Sequence, residues 1–174
     1  VALHLVDLDE PTRTLMRAEA LEDQRQGRLY VSGRLSERGS DAWPNLLLAA
    51  IATGDDDALA KELRQPGMMN AMEMRKTGPA KVPVNAPEML AEGEFNRFYI
   101  RAVCRRAVED GIDEVEVYRA KAVSNPRRES QAKLGTRVDA AALLDDLRTH
   151  PGVDTALGLP AGPNSGLSVR LPTS

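Results

Sequence analysis

Residues 86–110, APEMLAEGEFNRFYIRAVCRRAVED, form the longest stretch of the chain with helical periodicity from end to end. At 100° per residue, Glu94, Arg97, Arg101 and Arg105 fall on one narrow stripe, with Leu90 and Val108 at its two ends. Phe95, Phe98, Tyr99, Ile100, Ala102, Val103, Cys104 and Ala107 spread over the rest of the circumference, and only Asn96 and Arg106 interrupt them. An apolar arc this wide predicts a helix packed on most of its sides, the spine of the domain. Asn85 and Glu88 have the capping-box spacing, Pro87 lies in the first turn, and Gly111 supplies a stop.

Arginines in consecutive turns repel one another by about a few tenths of a kcal/mol per pair when solvated, and by more when water is excluded. Something must offset that repulsion. One reading is pairing within the chain: Glu94 with Arg97, Glu109 with Arg105, and carboxylates from neighbouring helices. The second is an outside anion, such as a phosphate, a nucleic-acid backbone or a partner's carboxylates. A catalytic arrangement of Glu94 with an arginine is the third. The candidate anion- or partner-binding residues are therefore Glu94, Arg97, Arg101 and Arg105, with Arg127 and Arg128 from a basic window further on.

Outward from the spine, the chain divides into a mainly helical part over 1–67, an extended arm or hairpin over 68–84, a helix–strand–helix core over 85–150, and an extended tail over 151–174. Asp9 and Pro11 open a first helix that ends at Gly27, and Arg28–Ser32 reads as a short strand. Gly33–Ser40 reads as a polar loop. Asp41 is expected to cap a helix whose run Leu46–Ile51 is apolar on every side, and Asp55, Asp56 and Asp57 open the next, which stops at Pro66-Gly67. Met68, Met69, Met72 and Met74 precede Lys76-Thr77-Gly78-Pro79, a turn between two extended stretches, with Pro83 placing the second arm at an edge. Glu114–Val123 alternates like a strand, with Val115 and Val117 inward and Tyr118 outward. Asn125–Thr136 reads as a polar loop, and Asp139 caps a last helix carrying Leu143, Leu144 and Leu147. Leu157, Leu159, Leu167, Val169 and Leu171 make the Gly/Pro-rich tail too apolar for a free linker, so it should pack on its own domain or on a neighbouring subunit. The expectation is one α+β domain: a long central helix against a small antiparallel or mixed sheet.

Composition narrows the chemistry. With 174 residues, 42% hydrophobic and 28% charged, the chain suits one globular domain with a real core. Aromatics are only 3%, so Leu, Val, Ala and Met must fill that core. A net charge of −3 and a pI near 5.5 argue against a generally sticky nucleic-acid binder. The single cysteine, Cys104, excludes an intrachain disulfide and fits a cytoplasmic setting, and the first residues predict no secretory leader. No apolar run reaches the length of a membrane span, so no membrane partner is expected.

His4, His150 and Cys104 cannot make a structural zinc site, and neither a nucleophile-elbow G-x-S-x-G nor a phosphate-binding P-loop occurs. No metal and no cofactor is expected. Asp110, Asp113, Glu114 and Glu116, followed by Lys121, invite a metal-dependent nuclease or hydrolase, but Glu116 and Lys121 lack the usual Glu-x-Lys spacing. Only Tyr118 offers a stacking surface near the basic window Arg119–Arg137. The expected function is thus a non-enzymatic, self-associating interaction protein, a homo-oligomer that uses its arm and tail. A nucleic-acid or phosphate binder using the arginine stripe is the alternative, and a metal-dependent hydrolase the second. The order of an extended arm, a long helix and a strand resembles part of the tailed-phage capsid fold, which would imply assembly into a shell.

Overall fold

A computed structural model describes residues 2–152 and 165–173. Its elements run α1 (Glu10–Arg25), α2 (Glu37–Thr53), α3 (Asp56–Leu63), β1 (Met72–Arg75), β2 (Gly78–Lys81), α4 (Ala86–Glu109), β3 (Glu114–Arg119), α5 (Arg128–Lys133), β4 (Arg137–Asp139), α6 (Ala140–Thr149) and β5 (Leu167–Arg170). The class is α+β, with a 24-residue central helix. Helices α1, α3 and α6 pack against α4, α2 lies across α1 and α3, and a three-stranded antiparallel sheet of order β4-β3-β5 closes another side. β1 and β2 form a separate antiparallel hairpin.

The spine behaves as its apolar arc requires. Phe95, Phe98, Tyr99, Ile100, Ala102, Val103, Cys104 and Ala107 are all buried. They meet Met16 and Ala20 of α1, Leu59 and Leu63 of α3, Leu143 and Leu147 of α6, and Val115, Val117, Leu167 and Val169 of the sheet in one continuous core. Each large side chain so buried contributes roughly 1.5–3 kcal/mol. Gly111, at φ +72°, lets the chain reverse out of α4 into β3. Asn85 is the N-cap, but its backbone (φ −90°, ψ 13°) is not the extended one a side-chain cap uses and no capping bond forms, while Glu88 pairs with Arg64 at the end of α3.

Several local expectations are corrected. Arg28–Ser32 is not a strand: it has no ladder partner among the described residues, and the Tyr30 carbonyl accepts from the Trp43 indole at 2.9 Å. Helix α2 begins at Glu37, well before Asp41, because Ser36 caps it, accepting from Gly39 N at 3.0 Å and donating to the Gly67 carbonyl at 2.5 Å. That helix is amphipathic rather than buried all round: Trp43, Leu47, Ala50 and Ile51 face in, and Ala49 is exposed. Tyr118 points inward, and its hydroxyl donates to the His4 carbonyl at 2.7 Å and accepts from Val6 N at 3.2 Å. The 125–136 segment contains the short helix α5. Residues 167–170 of the tail pack on their own domain, pairing with β3, while Leu157 and Leu159 lie outside the described residues.

The first turn of α2 touches the 67–68 loop without room for a side chain. A Cβ on Gly39 would sit 2.1 Å from the Met68 carbonyl oxygen. Gly39→Ala is therefore expected to destabilise the protein by about 1–3 kcal/mol despite alanine's better helix propensity, read as a lower urea midpoint at unchanged slope.

Candidate functional site

Two arrangements grow from the polar stripe of α4, one sealed and one open. The sealed one is an ion network. The spacing of Glu19 and Asp23 puts both carboxylates on the face of α1 that meets α4. Arg101 is 3% exposed and is held by both: its Nε donates to Glu19 at 2.9 Å, and its two terminal nitrogens donate to the Asp23 carboxylate at 2.7 and 2.9 Å. Glu19 also accepts from Arg105 at 3.2 Å and from Arg148 of α6 at 2.8 and 2.7 Å. Burial works against the Glu19 carboxylate, but the Arg148 and Arg101 guanidiniums outweigh it and hold its pKa at about 2. Arg101 stacks over the Phe98 ring at 4.9 Å. The network ties α1, α4 and α6 together through charge-assisted bonds.

Among the stripe residues, then, Arg101 and Arg105 face carboxylates of the same chain. Arg105 also lies 3.5 Å from Glu109, and Arg97 lies 3.5 Å from Glu94. Arg106, off the stripe, reaches Asp9 and Thr12 at the start of α1. Arg127 and Arg128 are exposed at the start of α5, on a different part of the chain from the stripe. A polyanion reaching this fold would meet Arg127 and Arg128 on the surface, but not the buried Arg101.

The open arrangement is a cavity of about 690 Å³ beside the first half of α4. Glu94, Arg97, Met89 and Leu90 of α4 line it together with Met72, Glu73 and Met74 of β1 and with Arg34, and Gly152 and Ser165 border it as well. Arg34 Nε donates to Glu73 at 3.3 Å, fastening the hairpin to the preceding loop, and Asn70 Nδ2 donates to the Gly33 and Leu35 carbonyls at 3.3 and 3.1 Å. Glu94 is 6% exposed, and no described residue donates a hydrogen bond to it. Burial pushes its pKa up to about 7; the Arg97 and Arg101 cations resist that shift, and the Asp23 anion adds to it.

Sequence reasoning identified Glu94 and Arg97 but missed Arg34, Glu73 and Asn70. The missing signal lies in the hairpin, which places β1 opposite α4; only the turn Lys76–Pro79 hints at it. The acidic turn has other duties: Glu116 pairs with Arg170 at 3.2 Å, and Lys121 pairs with Glu92. Among the described residues no group of three or more His, Cys, Asp and Glu is placed to hold a metal ion. His150 caps α6, with Nδ1 3.0 Å from Asp146, and the Cys104 thiol is buried, which raises its pKa. No helix among the described residues is long and apolar enough to cross a membrane. No family model, curated protein or solved structure matches this chain.

Proposed function

We propose that the chain is a non-enzymatic, self-associating interaction protein whose docking element is the β1–β2 hairpin. One observation carries this reading: the hairpin presents Met74 at 77% exposure and Met72 at 50%, with Val84 at 99% just beyond it. Two four-residue strands pair with each other and pack mainly on each other. Such a ribbon is marginal in water by itself, and neither of its outer edges joins a further strand among the described residues. Methionine side chains adapt to varied partner surfaces at little cost in strain. The other two methionines of the cluster serve the fold, since Met68 is buried and Met69 packs against the core. A second copy of the chain is the partner proposed, because an isologous contact lets two hairpins pair edge to edge.

Light scattering coupled to gel filtration tests this reading. At tens of micromolar the mass should be a multiple of the 18.9 kDa chain. Met72→Asp with Met74→Asp should return it to a single copy, with the helical circular dichroism unchanged. A larger array, such as the capsid-like shell that the element order resembles, would show as a mass far above a dimer. A strict monomer at that concentration would sink the proposal.

A further inference from the structure

We infer that the cavity between β1 and α4 binds a linear aliphatic cation, an alkylguanidinium or alkylammonium group seated against the carboxylate of Glu94. Glu94 sets the head group. Glu94 is buried, faces the cavity, and receives no hydrogen bond from the described residues; its nearest cation, Arg97 Nε, stands 3.5 Å away. A buried carboxylate in that position has acceptor capacity to spare, and a guanidinium or ammonium fills it with donors while balancing its charge. A neutral hydroxyl supplies one donor and no charge.

The walls set the body of the ligand. Met89 and Leu90 line the cavity with flexible apolar side chains, which suit a chain of methylenes, and Met72 and Met74, the docking residues proposed above, border it. At the side, Glu73 is shared between Arg34 and Arg75, each at 3.3 Å, and lies in reach of a second cationic group on a longer ligand. A volume of about 690 Å³ exceeds what one such group needs and lies in the range of ordinary small-molecule pockets. Two sources carry this chemistry: a free polyamine-like molecule, or the arginine or lysine side chain of a peptide.

Isothermal titration calorimetry on the full chain is the test, with agmatine, butylamine and an acetylated, amidated arginine tripeptide as probes, and pentanol as the neutral control. Saturable binding of a cationic probe is expected, with at least tenfold weaker binding of pentanol and at least tenfold weaker binding to Glu94→Gln. Agmatine binding as well as the peptide marks a free molecule as the source, and peptide binding alone marks a partner's side chain. Titration at pH 6 in buffers of differing ionisation enthalpy should show proton release on binding, since Glu94 is then largely protonated. A second variant guards against a misfolded Glu94→Gln. Among the described residues no atom lies within 4 Å of a Cβ built at Gly93, so Gly93→Leu should fill the cavity, keep the fold and abolish binding. The inference fails if no cationic probe gives saturable heat at millimolar concentration. It fails equally if folded Glu94→Gln and Gly93→Leu proteins bind as the parent does.

Discussion

Arg101→Ala is expected to lower the unfolding free energy by about 3–5 kcal/mol. The alanine leaves Asp23, 1% exposed, without its bidentate partner and strips Glu19 of its central one. Arg148 and Arg105 still reach Glu19, and Arg28 approaches Asp23 only at 3.5 Å. Asp23 is therefore the main source of the penalty, as a buried charge whose neutralising donors are gone. Truncation also removes the guanidinium plane from the Phe98 face. Arg101→Lys should recover only part of the loss, because one ammonium cannot span both carboxylates with parallel bonds. Replacing all three of Arg101, Glu19 and Asp23 by apolar residues of similar volume should cost far less than Arg101→Ala, since no charge is then stranded. Urea denaturation at neutral pH measures each variant. A loss within about 0.5 kcal/mol for Arg101→Ala would mean that Arg101 behaves as an ordinary surface cation and that the network does not hold α1 to α4.

The spine was legible because its pattern is local. Its apolar arc, Pro87 and Gly111 all lie within one stretch of chain, and so do the β3 alternation and the Asp139 cap of α6. The offset for the arginines was not legible in the same way. Glu19 and Asp23 stand 82 and 78 residues away from Arg101, and on α1 they read as solvated charges among Glu10, Glu22 and Arg25. Only the packing of two helices turns them inward. Tyr118 illustrates the same gap: a two-residue alternation assigns it to the outer face, yet the segment His4–Val6 folds over it and takes up its hydroxyl. Arg28–Ser32 has strand composition but no ladder partner among the described residues, and β propensity without a partner gives extended chain. For the cavity, Glu94 and Arg97 share a helix face and could be read together, whereas Glu73 and Arg34 arrive through the hairpin register and the Asn70 contacts.

Stability should peak near pH 4 and decline on both sides. Glu94 has a folded pKa of about 7 against an ordinary 4.5, and Asp56, buried where it accepts from Leu3 N, one of about 6 against 3.8. Burial is the first cause of both shifts. Groups raised in this way contribute stability that is complete below their unfolded values and is lost as pH climbs through the folded ones, because the native state holds protons that the unfolded chain has released. Glu19 has the opposite sign: its folded pKa of about 2 gives stability present above 4.5 and lost as pH falls towards 2. Each of these shifts is worth about 3 kcal/mol at full extent, so the acid side of neutrality should be visibly favoured over pH 8. Asp9, also lowered, adds to the loss in acid. Glu94→Gln removes the titration without removing the shape. It should match the parent at pH 4 and exceed it at pH 8 by up to about 3 kcal/mol, the cost of holding an ionised Glu94 in its buried position. Urea midpoints taken from pH 2.5 to pH 9 decide this. A flat profile between pH 5 and 8, or a Glu94→Gln protein weaker than the parent at pH 8, would show that the Arg97 and Arg101 cations already offset the burial of Glu94. The carboxylate would then be a settled member of the arginine ladder, with no unmet demand for a cation from outside.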